Sequence, residues 1–216
     1  MKKIKFDKEK FPFDKMIGNL YDDDLDKLFD GLDHSNKKLG EDTDSVFHKI
    51  FYDHLRSGFP EFIELYKKFI KEVICPLFPE EEYIIYQKTP SFRVTQPGGK
   101  AVYVPHSDGD ALHKHPSGEI NIFLPLTKSF GNNSMYLESI PGLGDYEPIE
   151  MEFGEILLFY GNKQRHFNKL NDTKVTRCSF DFRVVPPVNY ESNYSLESAT
   201  MKNKFVIGGY YNTMHK

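Results

Sequence analysis

The chain has two hydrophobic rhythms. Before residue 79 apolar positions recur at intervals of three and four; after it they come in short runs or alternate, broken by Pro, Gly, Asn and Asp. In the first stretch Phe62, Ile63, Leu65, Tyr66, Phe69, Ile70, Val73 and Ile74 fall on one side of a 3.6-residue repeat and predict a helix over 60–75. Pro60 suits its first position, where no helical partner exists for the missing amide, and Pro76 stops it. Similar patterns predict a helix over 44–55 and a short one over 22–32. An apolar stripe this wide has to be covered, and the natural cover is a sheet.

The second stretch supplies one. Strands are predicted at 83–87, 92–95, 101–105, 119–126, 134–139, 147–152, 155–160, 165–168 and 175–185. Short strands with no helices between them favour a sandwich or barrel, so the expected class is mainly β with N-terminal helices: a jelly roll buttressed by helices. The strand over 175–185 sets Arg177, Ser179, Asp181 and Arg183 on one face and Cys178, Phe180, Phe182 and Val184 on the other. Charges opposite a fully apolar row, between apolar neighbours, predict a wet or ligand-filled cavity on the polar side; a solvated outer face is the alternative. In 119–126, Ile120, Ile122 and Leu124 are expected to meet the helices, leaving Asn121 inside, as a structural hydrogen-bonding group or a ligand contact.

Composition adds bounds. The 216 residues suffice for one domain, read as a helical buttress (1–78), a jelly-roll core (79–186) and a C-terminal extension (187–216) too rich in tyrosine to be a plain disordered end. A net charge of −4 and a pI near 6.1 give no basic footprint, so no nucleic-acid partner is expected. No apolar run approaches the ~20 residues that cross a bilayer, and the start MKKIKFDKEKFPFDK lacks a signal-peptide core, so the expectation is a cytoplasmic protein with no membrane partner. Oligomeric state is left open, a homodimer included. Cys75 and Cys178 form no disulfide framework and read as small buried apolar residues.

The chemistry lies in His106-Ser-Asp108, His166 and Arg177-Cys-Ser179. His106 and Asp108, two apart at the end of the 101–105 strand, point the same way and can share an ion. With His166 they offer two imidazoles and a carboxylate, the facial set associated with non-haem Fe(II). Arg177 is placed to receive an acidic cosubstrate through paired, charge-assisted hydrogen bonds. A rival set is His113-Lys-His115 with Glu119, which has the His-x-His-x3-Glu spacing of metal cupins and could also use His166. Arg93, Glu138 and Arg183 are expected to face the pocket and orient a substrate, with interior ion pairs as the alternative, and His115, with His113, to stand at the active-site mouth and contact substrate or else to be a plain surface residue.

Together His106-Ser-Asp108, Pro116-Ser-Gly-Glu-Ile-Asn121, Leu124-Pro-Leu-Thr127, Tyr136-Leu-Glu-Ser139, Gly154-Glu-Ile-Leu157, Phe159-Tyr-Gly161, His166 and Thr176-Arg-Cys-Ser-Phe-Asp-Phe-Arg-Val184 resemble the 2-oxoglutarate-dependent Fe(II) oxygenases, in particular the streptomycin-biosynthesis oxygenase-like group. The likeness runs over roughly 92–211; residues 1–75 carry no matching motif. The resemblance implies a double-stranded β-helix of cupin-like form in which His106, Asp108 and His166 bind Fe(II), and Arg177 and Ser179 hold the distal carboxylate of 2-oxoglutarate, with Asn121 near it. It further implies O2 as co-reactant and a small polar substrate such as a sugar or aminocyclitol derivative, oxidised and in the first instance hydroxylated. Against it stand a cupin enzyme working without 2-oxoglutarate and a non-catalytic ligand-binding barrel.

Overall fold

The computed structural model describes residues 1–32, 44–99, 104–198 and 203–216. The fold is mostly β, with helices against one face of the larger of two sheets. That sheet has seven strands: β1 (Lys2–Lys5), β2 (Tyr83–Gln87), β3 (Ser91–Thr95), β4 (Ile120–Pro125), β7 (Glu155–Phe159), β9 (Arg177–Val185) and β10 (Tyr211–His215). The order is β1-β7-β4-β9-β2-β10, and β3 pairs with the first half of β9 on the side where β2 pairs with its end. The smaller sheet is β6 (Glu147–Pro148), β5 (Met135–Leu137) and β8 (His166–Asn168), in the order β6-β5-β8.

β4 and β9 sit at the centre because both can be buried on two faces. Ile120, Ile122 and Leu124 of β4 join Cys178, Phe180, Phe182 and Val184 of β9 against α1 (Phe13–Gly18), α2 (Val46–Ser57) and α3 (Pro60–Phe69). Phe180 meets the rings of Phe13, Phe51, Phe62 and Phe92, with centroids 5.3–6.2 Å apart. On the opposite face a second apolar cluster, Phe123, Met135, Leu137, Ile149, Met151, Leu157 and Phe159, joins the two sheets and leaves a cavity beside it.

The helix expected over 60–75 runs as α3 to Phe69, widens into a π-helical turn at Ile70–Ile74 and ends in a 3-10 turn at Cys75–Leu77. α2 starts from Ser45, whose hydroxyl accepts the His48 amide. The helix expected over 22–32 shrinks to a 3-10 turn at Leu25–Lys27. The reason is competition: Leu25, Asp26 and Leu28 give their carbonyls to the Cys178 thiol, the Thr176 amide and the Thr176 hydroxyl, so this segment is tied to β9 instead of to itself. Of the strand expected over 147–152 only Glu147–Pro148 pairs, followed by a single bridge from Met151 to Ser129. The strand expected over 101–105 lies mostly outside the described residues.

Two strands and a helix were not expected. β1, Lys-Lys-Ile-Lys, has one apolar residue and no alternation to detect, yet it pairs with Glu155 to Leu158 of β7 as a sheet edge dressed with lysine, a composition that suits an edge. β10 adds the last residues of the chain to β2. α1 is too short for its two buried residues, Phe13 and Ile17, to declare a period.

Candidate metal and anion site

His106 and His166 stand opposite each other on antiparallel backbone, each amide bonded to the other's carbonyl at 3.2 and 2.9 Å, with ring centroids 4.5 Å apart. Each imidazole is aimed the same way. Nδ1 of His106 donates to the Val104 carbonyl (3.0 Å) and Nδ1 of His166 to the Gln164 carbonyl (3.1 Å), which leaves both Nε2 atoms as lone-pair donors. They lie 4.0 and 3.5 Å from Oδ1 of Asp108. All three ligand atoms are within 4.8 Å of one another, and among the described residues no other trio of His, Cys, Asp or Glu is gathered so.

Asp108 is fixed by its other oxygen. Oδ2 accepts from Nδ2 of Asn121 (2.7 Å) and Nη2 of Arg183 (2.9 Å), leaving Oδ1 for the imidazoles. Burial opposes ionisation of this carboxyl, but the charges of Arg183 and His166 outweigh it and hold Asp108 well below the usual carboxylate range. Burial, reinforced by the charge of His166, pulls His106 down to about 4, so it is a neutral ligand at ordinary pH.

The backbone geometry behind this is tight at one point. A Cβ on Gly161 would sit 2.5 Å from Nδ2 of Asn121, while the Gly161 carbonyl accepts the Asp108 amide at 2.8 Å. Glycine is required there so that Asn121 can reach Asp108.

Arg177 and Ser179 line the same cavity, of about 170 Å³, with Asn121, Phe123, Met135 and Phe159. Arg177 is 3% exposed, and its one hydrogen bond among the described residues is from Nη2 to the Thr95 hydroxyl (3.0 Å), across the β3–β9 register. Its Nε and Nη1 have no partner, nor does the buried hydroxyl of Ser179. Burial, with a further push from the charge of Arg93, lowers the guanidinium to about 10. Buried donors are normally bonded, and a cation is rarely left bare. The cluster thus presents buried, unpartnered donors of the kind that suit an anion.

The remaining face of β9 behaves as a charge chain. Asp181 receives Nε of Arg93 (2.9 Å) and Nη1 of Arg183 (2.6 Å), and Arg183 passes on to Asp108. Burial opposes ionisation of Asp181, and the two arginines overcome it.

The expected substrate-facing residues divide. Arg93, His115 and Arg183 line the cavity; Glu138 does not. Its carboxylate accepts the Arg165 amide (2.6 Å) and the Gly144 amide (3.1 Å), pinning the loop that leads into His166, which corrects the substrate-facing role expected of it. The rival cupin set does not assemble: Nδ1 of His113 turns to Asp110 (2.9 Å), and His115 and Glu119 bond each other (2.7 Å). Thr95 and Gln164 escaped the sequence reading because they act through a hydroxyl and a main-chain carbonyl, neither of which has a motif; Gly161 was read only as part of Phe159-Tyr-Gly161, with no role.

No protein-family model matches the chain. The streptomycin biosynthesis protein StrG of Streptomyces griseus is 29% identical over 215 residues, covering 98% of each chain. The likeness spans the whole chain. It takes in the N-terminal third, which carries no matching motif. Among solved structures, the chain is similar to CytC3 with Fe(II) and alpha-ketoglutarate (TM-score 0.45, 18% identity, 86% of this chain and 72% of that one). It is also similar to HygX from Streptomyces hygroscopicus with nickel and 2-oxoglutarate bound (0.43, 11%, 73% and 86%). Likeness at that distance assigns no residue here.

Proposed function

We propose that this protein is a non-haem Fe(II), 2-oxoglutarate-dependent oxygenase of small polar molecules, built on a single double-stranded β-helix domain. The observation that carries the reading is the pairing of two half-made sites in one cavity. Three ligand atoms, two nitrogen and one oxygen, lie within 4.8 Å of one another, and beside them the Arg177 and Ser179 donors are buried without acceptors. Neutral imidazoles and a carboxylate are a donor set suited to Fe(II), and the bare guanidinium fits a carboxylate. A dianionic chelator such as 2-oxoglutarate would reach both the metal-binding trio and the Arg177 and Ser179 donors.

In this reading His106, Asp108 and His166 hold the ion, Arg177 and Ser179 bind the distal carboxylate, and Thr95 keeps the Arg177 fork turned towards it. Asn121 and Arg183 occupy Oδ2 of Asp108, so Oδ1 is the oxygen that would hold the ion. Phe123, Met135 and Phe159 keep water away from the centre. When bound, Fe(II) with 2-oxoglutarate and O2 supplies the oxidation: the cosubstrate leaves as succinate and CO2, and one oxygen atom is available to the substrate. Similarity to a streptomycin-biosynthesis protein supports a sugar or aminocyclitol derivative as substrate, and hydroxylation is the oxidation proposed.

Anaerobic titration tests this. Fe(II) followed by 2-oxoglutarate is expected to give a weak metal-to-ligand charge-transfer band in the visible; a folded, metal-loaded protein without it overturns the reading. Arg177→Leu is expected to weaken 2-oxoglutarate binding about a hundredfold or more while iron still binds, since a charge-assisted pair contributes roughly 1.5–3 kcal/mol and a desolvated one more.

A further inference from the structure

His113 lines the same cavity, and neither the metal trio nor the anion-binding donors use it. It stands on the short loop between Asp108 and Pro116, and Asp110 sets its orientation. Oδ1 of Asp110 accepts the His113 amide (2.8 Å), Nδ1–H of the His113 ring (2.9 Å) and the Leu112 amide (2.9 Å). The Asp110 carbonyl accepts the Lys114 amide (2.9 Å), and the His115 amide returns to the Asp108 carbonyl (2.9 Å). Closing the loop in this way puts Lys114 at φ 58°, a left-handed backbone that a side chain disfavours. Such strain persists only where surrounding bonds over-determine the backbone, as they do here.

What the loop carries is a ring placed against a ligand. The imidazole of His113 lies 4.5 Å from that of His106, centroid to centroid, with 35° between the planes; His166 lies at 4.5 Å and 53°. A histidine needs such neighbours, because rotation about its Cβ–Cγ bond is soft, and one hydrogen bond at Nδ1 leaves the ring free to rock. For His106 that bond goes to the Val104 carbonyl, and the two neighbouring rings limit the swing. His166 belongs to the trio itself. Among the described residues this leaves His113 as the ring that packs on His106 from outside the ligand set. Its effect is steric, so it does not depend on the protonation state of either ring.

We propose that His113, locked by Asp110, is a positioning residue: it holds the imidazole of His106 in one orientation, with Nε2 towards Oδ1 of Asp108, so that the trio is formed before an ion arrives. This rests on the reading above, in which His106, Asp108 and His166 hold the metal. It also gives a place to a histidine whose spacing suggested a ligand of a different set. His113 serves the centre without joining it.

The test has a metal-free and a metal-bound arm. In metal-free protein, carbon-13 relaxation should show the His106 ring as ordered as the backbone around it, and clearly more mobile in His113→Ala. Co(II), which takes the same nitrogen and oxygen ligands as Fe(II), is then titrated and followed by its d–d bands. His113→Ala should bind Co(II) about tenfold more weakly than the unsubstituted protein, with altered bands. His113→Phe, which keeps a ring against His106, should stay within about threefold, and Asp110→Ala should fall between the two. Any of four results overturns the proposal: an equally ordered His106 ring in His113→Ala, equal Co(II) affinity of that variant and the unsubstituted protein, a loss in His113→Phe as large as in His113→Ala, or an Asp110→Ala variant that binds as tightly as the unsubstituted protein. If the unsubstituted protein takes up no Co(II), the metal reading falls instead, and the ring mobility decides by itself whether His113 holds His106.

Discussion

At the scale of single residues, the centre depends on side chains that touch no ligand. Gly161 is the sharpest case, because its missing Cβ leaves room for the Asn121 amide that orients Asp108. Gly161→Ala is expected to fold, since its backbone does not need the left-handed region, but to bind Fe(II) about tenfold to a hundredfold more weakly, the usual range for losing an outer partner of a metal ligand. The double variant Gly161→Ala/Asn121→Ala should be no worse than Asn121→Ala alone, because the clash then has nothing to strike. A metal titration of the three proteins checks this; additive losses would mean that Gly161 acts by another route.

The same scale shows how much chemistry the sequence disclosed. Arg177 and Ser179 were legible because strict alternation put them with Asp181 and Arg183 on a face that had no business being polar beside apolar strands. Asn121 was legible as one polar residue in an apolar run. Glu138 was misread for a related reason: a buried carboxylate on a strand looks like a ligand until its acceptors are counted, and both oxygens prove to be spent on backbone amides. Periodicity reports which side of a strand a residue takes. It cannot report what that side finds there.

At the scale of elements, β9 is the member on which the rest depends, since its apolar face anchors the helices and its polar face furnishes the cavity. Phe180→Ala should cost about 3–5 kcal/mol, read by urea denaturation, because four rings lose their common neighbour. The central strands and the two longer helices were foreseeable, having enough residues to show a period. β1, α1 and β10 were not: the first two are too short, and β10 is recruited by pairing with β2 and by the aromatic cluster of Ile85, Val185, Phe205, Tyr210 and Tyr211. The turn at Leu25–Lys27 failed as a helix for a tertiary reason, its carbonyls being claimed by β9.

At the scale of the whole molecule, the unpaired Arg177 makes stability and ligation one subject. A buried cation without a counter-charge disfavours the folded state, and a bound dianion removes that cost. Metal and 2-oxoglutarate at about a hundred times their dissociation constants should each add roughly 2.7 kcal/mol, about 5 kcal/mol together, and raise the melting temperature by about 10–20 °C for a chain of this size. Arg177→Leu should lose the part of the rise due to 2-oxoglutarate while melting, without ligand, no lower than the wild type. A differential scanning experiment decides it, and a ligand-free variant that melts well below the wild type would show that the guanidinium is already paid for within the fold.

Because Arg177 and Ser179 alternate with Cys178 and Phe180 along one strand, each residue proposed to receive the anion is a single peptide away from one that packs on the helices. Changes in the helical layer therefore reach the cavity without crossing it: a slightly larger or smaller side chain at Phe13, Phe51 or Phe62 shifts β9 and with it the spacing between guanidinium and metal. Lineages of such a protein can retune affinity from the far side of the sheet, and variation that looks like drift in a hydrophobic core will carry the record of selection on a ligand.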